Sequence, residues 1–119
     1  MSEEELSTKQ AERRKEPRYL CLGHVTLVRL PGLSWTGRIL DLSLGGCLIE
    51  IRPFVYAAPG SAIELTVQAG GTALRVMGKV SFADKPEPGR IGISFTQLSK
   101  RGQRALEELI ARLEAAHAE

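Results

Sequence analysis

Arg14 and Arg18 are separated by three residues in the segment Arg14-Lys15-Glu16-Pro17-Arg18, with Arg13 directly ahead of them. Each guanidinium is a planar fork that matches a phosphate or the O6/N7 edge of a guanine, and the same plane stacks on purine rings. In an extended segment the pair can reach around an anionic ligand. The same pattern also fits a solvated, charged linker. A second group, Asp41-Leu42-Ser43-Leu44-Gly45-Gly46, lies 22 residues further on. The i, i+2 spacing of Asp41 and Ser43 puts both side chains on one face of a strand. There a carboxylate accepts from the N1–H and N2–H₂ donors of guanine, while a hydroxyl both donates and accepts. Gly46 allows a tight turn and a close approach to the backbone. These six residues fit an Asx or Ser turn closing a hairpin equally well. Arginine forks for one guanine edge and an aspartate for the other together describe a guanine-nucleotide site built without a P-loop.

The elements that must position these groups are short strands. From Tyr19 onward, runs of β-branched and apolar residues are broken every 8 to 12 residues by Gly or Pro clusters, the rhythm of a small barrel or sandwich. Strands are predicted at LCLGHVTLVRL, WTGRILDLS, GCLIEI, AIELTVQ, TALRVMGKVSFA and GRIGISFTQL. In the first, Cys21, Val25 and Leu27 share one face, and Thr26, Val28 and Leu30 the other. Short connections such as Leu44-Gly45-Gly46, Ala58-Pro59-Gly60 and Ala69-Gly70-Gly71 favour antiparallel neighbours. The period then changes: Leu106, Leu109, Ile110 and Leu113 fall at i, i+3, i+4 and i+7. This predicts an amphipathic helix from about Lys100 to Ala116 with Ser99 as its N-cap.

Composition bounds the rest. The chain has 119 residues, 43% apolar and 25% charged, enough for one core and too few for two. Sixteen Lys and Arg against 14 Asp and Glu leave +2, too little for a general nucleic-acid binder. The charge is uneven: Glu3, Glu4 and Glu5 precede a cationic stretch from Lys9 to Arg18. Residues 1–18 carry one large aliphatic side chain, Leu6, so they cannot offset the entropy of ordering by burial. A mobile leader is expected over 1–11, an arginine segment over 12–18, a barrel over 19–98 and a helix over 99–117, with 12–118 forming a single domain. With no apolar signal region and no membrane span, a cytoplasmic protein is expected. Cys21 and Cys47 read as buried free thiols and no metal site is expected. Trp35 reads as a packing or rim residue, Tyr19 as an anchor for the start of the barrel, and Arg38 and Arg75 as strand-surface charges.

Arg14xxxArg18 followed by Asp41xSer43xxGly46, with the later strand Gly92-Ile93-Ser94-Phe95, resembles the PilZ domain family of bacterial cyclic di-GMP receptors over about residues 12 to 115. The resemblance implies a mainly β fold, a six-stranded antiparallel barrel with a C-terminal α-helix, and a ligand held on the outside of the barrel. By position, Arg14 and Arg18 contact the phosphates and guanine edges from a segment that wraps the ligand. Asp41 and Ser43 hold a guanine, and Gly46 shapes the surface. Arg13 adds a guanidinium that in similar domains accompanies an intercalated ligand dimer. Glu16 sets an acid between the arginines, which trims affinity by repelling phosphate.

The function expected is that of a stand-alone, non-enzymatic cyclic di-GMP receptor that signals through an effector protein, as monomer or weak homodimer, without direct DNA binding or membrane insertion. A ligand-independent interaction scaffold using the C-terminal helix is the competing reading. Single-stranded nucleic-acid binding is disfavoured because aromatics make up 5% of the chain and do not alternate with basic residues. Catalysis is disfavoured because the chain has no GxSxG, HExxH or P-loop, and Ser43 has no identifiable His partner.

Overall fold

The computed structural model describes residues 17–29, 32–51, 58–84 and 89–117. Arg13, Arg14 and the expected leader lie outside the described residues. Six strands follow in chain order: β1 (Tyr19–Arg29), β2 (Leu33–Leu42), β3 (Gly46–Ile51), β4 (Ala62–Ala69), β5 (Thr72–Asp84) and β6 (Gly89–Gln97). Among the described residues one helix, α1 (Lys100–His117), follows the strands. The strands close into a barrel in the order β1-β2-β3-β6-β5-β4, with every pairing antiparallel. The expected fold class is therefore the observed one.

Alternation builds the core. Cys21, Val25 and Leu27 of β1 point inward and are buried, as their spacing predicts. Leu65 and Val67 of β4, Val76 of β5 and Ile91 of β6 do the same, each with almost no exposed surface. Truncating any one of these to Ala removes about 2 to 5 kcal/mol of stability. One connection departs from the simple meander: β3 and β4 are not neighbours, because β6 and β5 lie between them. The chain between Ile51 and Ala62 is long enough to cross one end of the barrel. At its far side Gly60 N–H donates to the Val80 carbonyl at 2.7 Å, and Val80 N–H to the Ser61 carbonyl at 3.0 Å.

Helix α1 covers the barrel with the face its sequence marks out: Leu106, Leu109 and Ile110 are buried in the same cluster as the barrel interior. Its start is the expected cap, with Ser99 Oγ accepting from the Gly102 N–H at 2.9 Å. Arg112 fixes the far end by donating to the Gly70 carbonyl at 3.0 Å and to the Thr72 hydroxyl, which ties α1 to the β4–β5 turn. Tyr19 Oη donates to Glu114 Oε2 at 3.3 Å, so the first residue of the barrel is anchored to the last turns of the helix. Among the described residues no helix is long and apolar enough to cross a membrane.

Candidate functional site

Asp41 reaches the outside of the barrel through a bulge. Across β2 and β3 the register passes from Ile39 opposite Ile49 directly to Asp41 opposite Leu48, leaving Leu40 as an extra residue. One extra residue inverts the inside–outside alternation of a strand. Ile39 and Leu42, three apart, are consequently both buried, and Asp41 is half-buried on the outer side. Strict alternation from Ile39 would have driven the carboxylate into the core.

A second bulge does the same for an aromatic ring. In β5 the register passes from Val80 opposite Ile93 to Phe82 opposite Gly92, with Ser81 extra. Val80 is buried, whereas Phe82 keeps 41% of its surface exposed. Its ring occupies the space over Gly92, where an added Cβ would come within 2.3 Å of a ring carbon. Nothing in the sequence marks this residue, because Phe82 continues the inward series of Leu74, Val76 and Val80 until the bulge breaks it.

These features border a cleft of about 230 Å³ whose lining includes Arg18, Ser43, Gly45, Gly46, Phe82 and Ser94. Arg18 is exposed and enters from the chain just ahead of β1. Its positive charge acts on Asp41. Partial burial raises the Asp41 carboxyl above the usual carboxylate range, and the Arg18 guanidinium and a hydrogen bond from the Leu48 backbone pull it back in part. The carboxylate thus carries a desolvation cost that a cationic or hydrogen-bond-donating ligand would relieve.

Ser43 and Gly46 shape the rim. Ser43 Oγ accepts from the Gly45 N–H at 3.3 Å and donates to the Gly46 carbonyl at 3.2 Å, while the Ser43 N–H donates to that carbonyl at 2.9 Å. Ser43 is buried and these bonds close the turn between β2 and β3, the hairpin role that its spacing allows. Gly46 is required by packing: a Cβ there would lie 2.2 Å from the Ile93 carbonyl oxygen of β6. Of the residues singled out from sequence, Arg18, Ser43 and Gly46 therefore line one cleft and Asp41 couples electrostatically to Arg18.

The remaining candidates fall elsewhere. Arg38 pairs with the buried Glu50 at 3.0 Å and Arg75 with Glu64 at 3.2 Å, so neither lines the cleft. Trp35 packs partly against the core with Arg29 held 5.9 Å from its ring centroid. Cys21 and Cys47 are buried free thiols. Burial, together with the Asp41 and Cys21 charges, pushes the Cys47 thiol far above its ordinary value.

A family model described as PilZ domain matches residues 12–112. The chain belongs to the PilZ domain family. Solved structures repeat the PilZ architecture. The PilZ domain of YcgR from Escherichia coli, solved with c-di-GMP, has a TM-score of 0.73 at 18% identity, over 87% of this chain and 93% of that one. The Bacillus subtilis inhibitor of motility MotI/DgrA has a TM-score of 0.74 at 13% identity, over 90% of this chain and 54% of that one. The MrkH–c-di-GMP complex of K. pneumonia gives 0.71 at 17% identity, over 90% and 56%. This PilZ chain spans about half the length of MotI/DgrA and MrkH. At such identities the likeness is one of fold. No curated protein matches the chain.

Proposed function

We propose that this PilZ domain is a non-enzymatic, cytoplasmic receptor for cyclic di-GMP that signals through an effector protein. The observation that carries the reading is Arg18 lining one cleft with Ser43 and Gly46 while its charge acts on Asp41. In this reading Arg13, Arg14 and Arg18 close over the phosphates and guanine edges, Asp41 accepts from a guanine, and Ser43 and Gly46 form the surface beneath it. YcgR and MrkH, solved with c-di-GMP, lend support from the same fold. Three guanidinium groups suit an intercalated ligand dimer better than a single molecule, because two stacked dinucleotides carry four phosphates. Ordering of the arginine segment on binding supplies the signal, since a ligand shifts an equilibrium only by its differential affinity for the two states.

Isothermal calorimetry with cyclic di-GMP tests the proposal. Saturable heat that disappears in the Arg14→Ala, Arg18→Ala double variant is expected. Absence of heat at micromolar ligand, or binding indifferent to both substitutions, rejects it. The engagement of the Ser43 hydroxyl within its own turn favours a second reading, a scaffold that ignores the nucleotide. Size-exclusion chromatography with the effector, with and without cyclic di-GMP, separates the two.

A further inference from the structure

On the side of the barrel away from Phe82, a groove of about 660 Å³ runs between α1 and the start of β1 and is lined almost wholly by apolar side chains, Leu20, Leu22, Leu40, Leu109 and Leu113 among them. Leu20 is 74% exposed and Leu22 is 91% exposed. Both sit at a bulge of β1, where the register against β2 slips between Leu20 and Gly23. Leu40 is the extra residue of the β2 bulge that turns Asp41 outward. We propose that this groove is the output face of the domain and that it takes an amphipathic helix of the effector, flanked by acidic residues. The inference rests on the receptor reading given above, which left the partner's docking surface unassigned.

The closed barrel decides the kind of occupant. All six strands are paired on both sides, so no free edge can accept an added strand. A lining that among the described residues holds leucines and no aromatic side chain suits the apolar face of a helix rather than a proline-rich segment, which docks in aromatic-lined grooves. Size argues against a second copy. The two leucines expose on the order of 300 Å², in the range of patches that mark binding sites, whereas a stable interface buries about 800 Å² from each partner. Residues 1–16 hold a single large aliphatic side chain, Leu6, which is too little to fill the groove. Charge sets the flanks: Arg38, the one charged residue in the lining among the described residues, is exposed while its partner Glu50 is buried, and Arg112 stands at the edge on the Gly70 carbonyl. The nearby Glu114 carboxylate accepts from Tyr19.

The groove is wired to the nucleotide site through the backbone. Leu20 is the register partner of Asp41 across β1 and β2, and Arg18 lies two residues ahead of Leu20. A ligand drawing Arg18 towards Asp41 pulls on both bulges, and the leucines they carry move with them. A synthetic 18-residue helical peptide with leucines at i, i+3, i+4 and i+7 and flanking glutamates, labelled with fluorescein, is the probe. Anisotropy against the full chain should show saturable binding, with methyl NMR shifts at Leu20, Leu22, Leu40 and Leu113. Cyclic di-GMP should change that affinity at least fivefold. Leu22→Glu, at a fully exposed site, should weaken the peptide at least tenfold while calorimetry finds cyclic di-GMP binding unchanged. Absence of saturable binding, or equal binding by Leu22→Glu, overturns the proposal, and so does peptide affinity indifferent to the nucleotide. Self-association lost in Leu22→Glu assigns the groove to a second copy, and groove methyls that shift in Leu6→Glu assign it to the leader; either overturns it. A chain that binds the peptide but gives no heat with cyclic di-GMP instead overturns the receptor reading.

Discussion

The ring of Phe82 lies across Gly92, on the strand opposite, in the space that any side chain at position 92 would need. The pair puts an exposed aromatic face in the same cleft as Arg18. Base–aromatic stacking contributes about 1 to 3 kcal/mol per base. Phe82→Ala is therefore expected to weaken cyclic di-GMP by roughly 5- to 150-fold. Calorimetry measures this, and thermal melts of the unliganded variant should stay close to the parent because the ring is largely outside the core.

Arg18 supplies a planar fork as well as charge, so Arg18→Lys should not rescue Arg18→Ala. Each charge-assisted hydrogen bond contributes about 1.5 to 3 kcal/mol, which predicts a loss on the order of 100-fold or more for Arg14→Ala with Arg18→Ala. The affinity of the parent should fall as salt rises from low to physiological concentration, and the double variant should show a shallower slope.

Asp41 carries a stability cost in the unliganded domain. Its carboxyl titrates above the unfolded value in the folded chain, chiefly through desolvation. Folding therefore takes up a proton, and this contribution to stability is full below the unfolded carboxylate pKa and lost as pH rises through the folded one. Asp41→Asn is expected to raise the unliganded Tm by a few degrees at pH 7, with the gap closing below about pH 4. The same variant should bind cyclic di-GMP more weakly, so stability and binding move in opposite directions.

Gly46→Ala tests a packing requirement. The new methyl would meet the Ile93 carbonyl oxygen, a backbone atom that cannot rotate away. A destabilisation of about 2 to 3 kcal/mol is expected from chemical denaturation, with the β3–β6 pairing the first to loosen.

Cys47 is held as a neutral, buried thiol. Neither cysteine should react with a thiol reagent in the folded protein at neutral pH, and two should react once it is denatured.

The barrel and its helix were legible because their signals are local. Alternation places Cys21, Val25 and Leu27 inside, the i, i+3, i+4, i+7 series places Leu106 and Leu109 against them, and Ser99 caps the helix. The residue types of Asp41 and Ser43 were legible, but the shared strand face was not found: β2 ends at Leu42 and Ser43 is buried in the turn that follows. What could not be read was direction. Whether a strand carries an extra residue depends on its partners' register, so the bulges at Leu40 and Ser81 leave no mark in a single chain. Phe82 was missed for that reason and Ser43's engagement in its own turn was only one of two readings. The crossing of β3 to β4 was hidden likewise, since a ten-residue connection serves a neighbour or a stride across the barrel mouth equally well.

The bond from Tyr19 to Glu114 joins positions 95 apart in the chain and holds the start of β1 against the last turns of α1, next to Arg18 in sequence. A module clasped in this way can be spliced into a longer polypeptide as a cassette without tearing its fold. A segment joined ahead of β1 would then start close to the last turns of α1 and to the cleft that Arg18 lines, so a change at that cleft would be felt where the two elements meet.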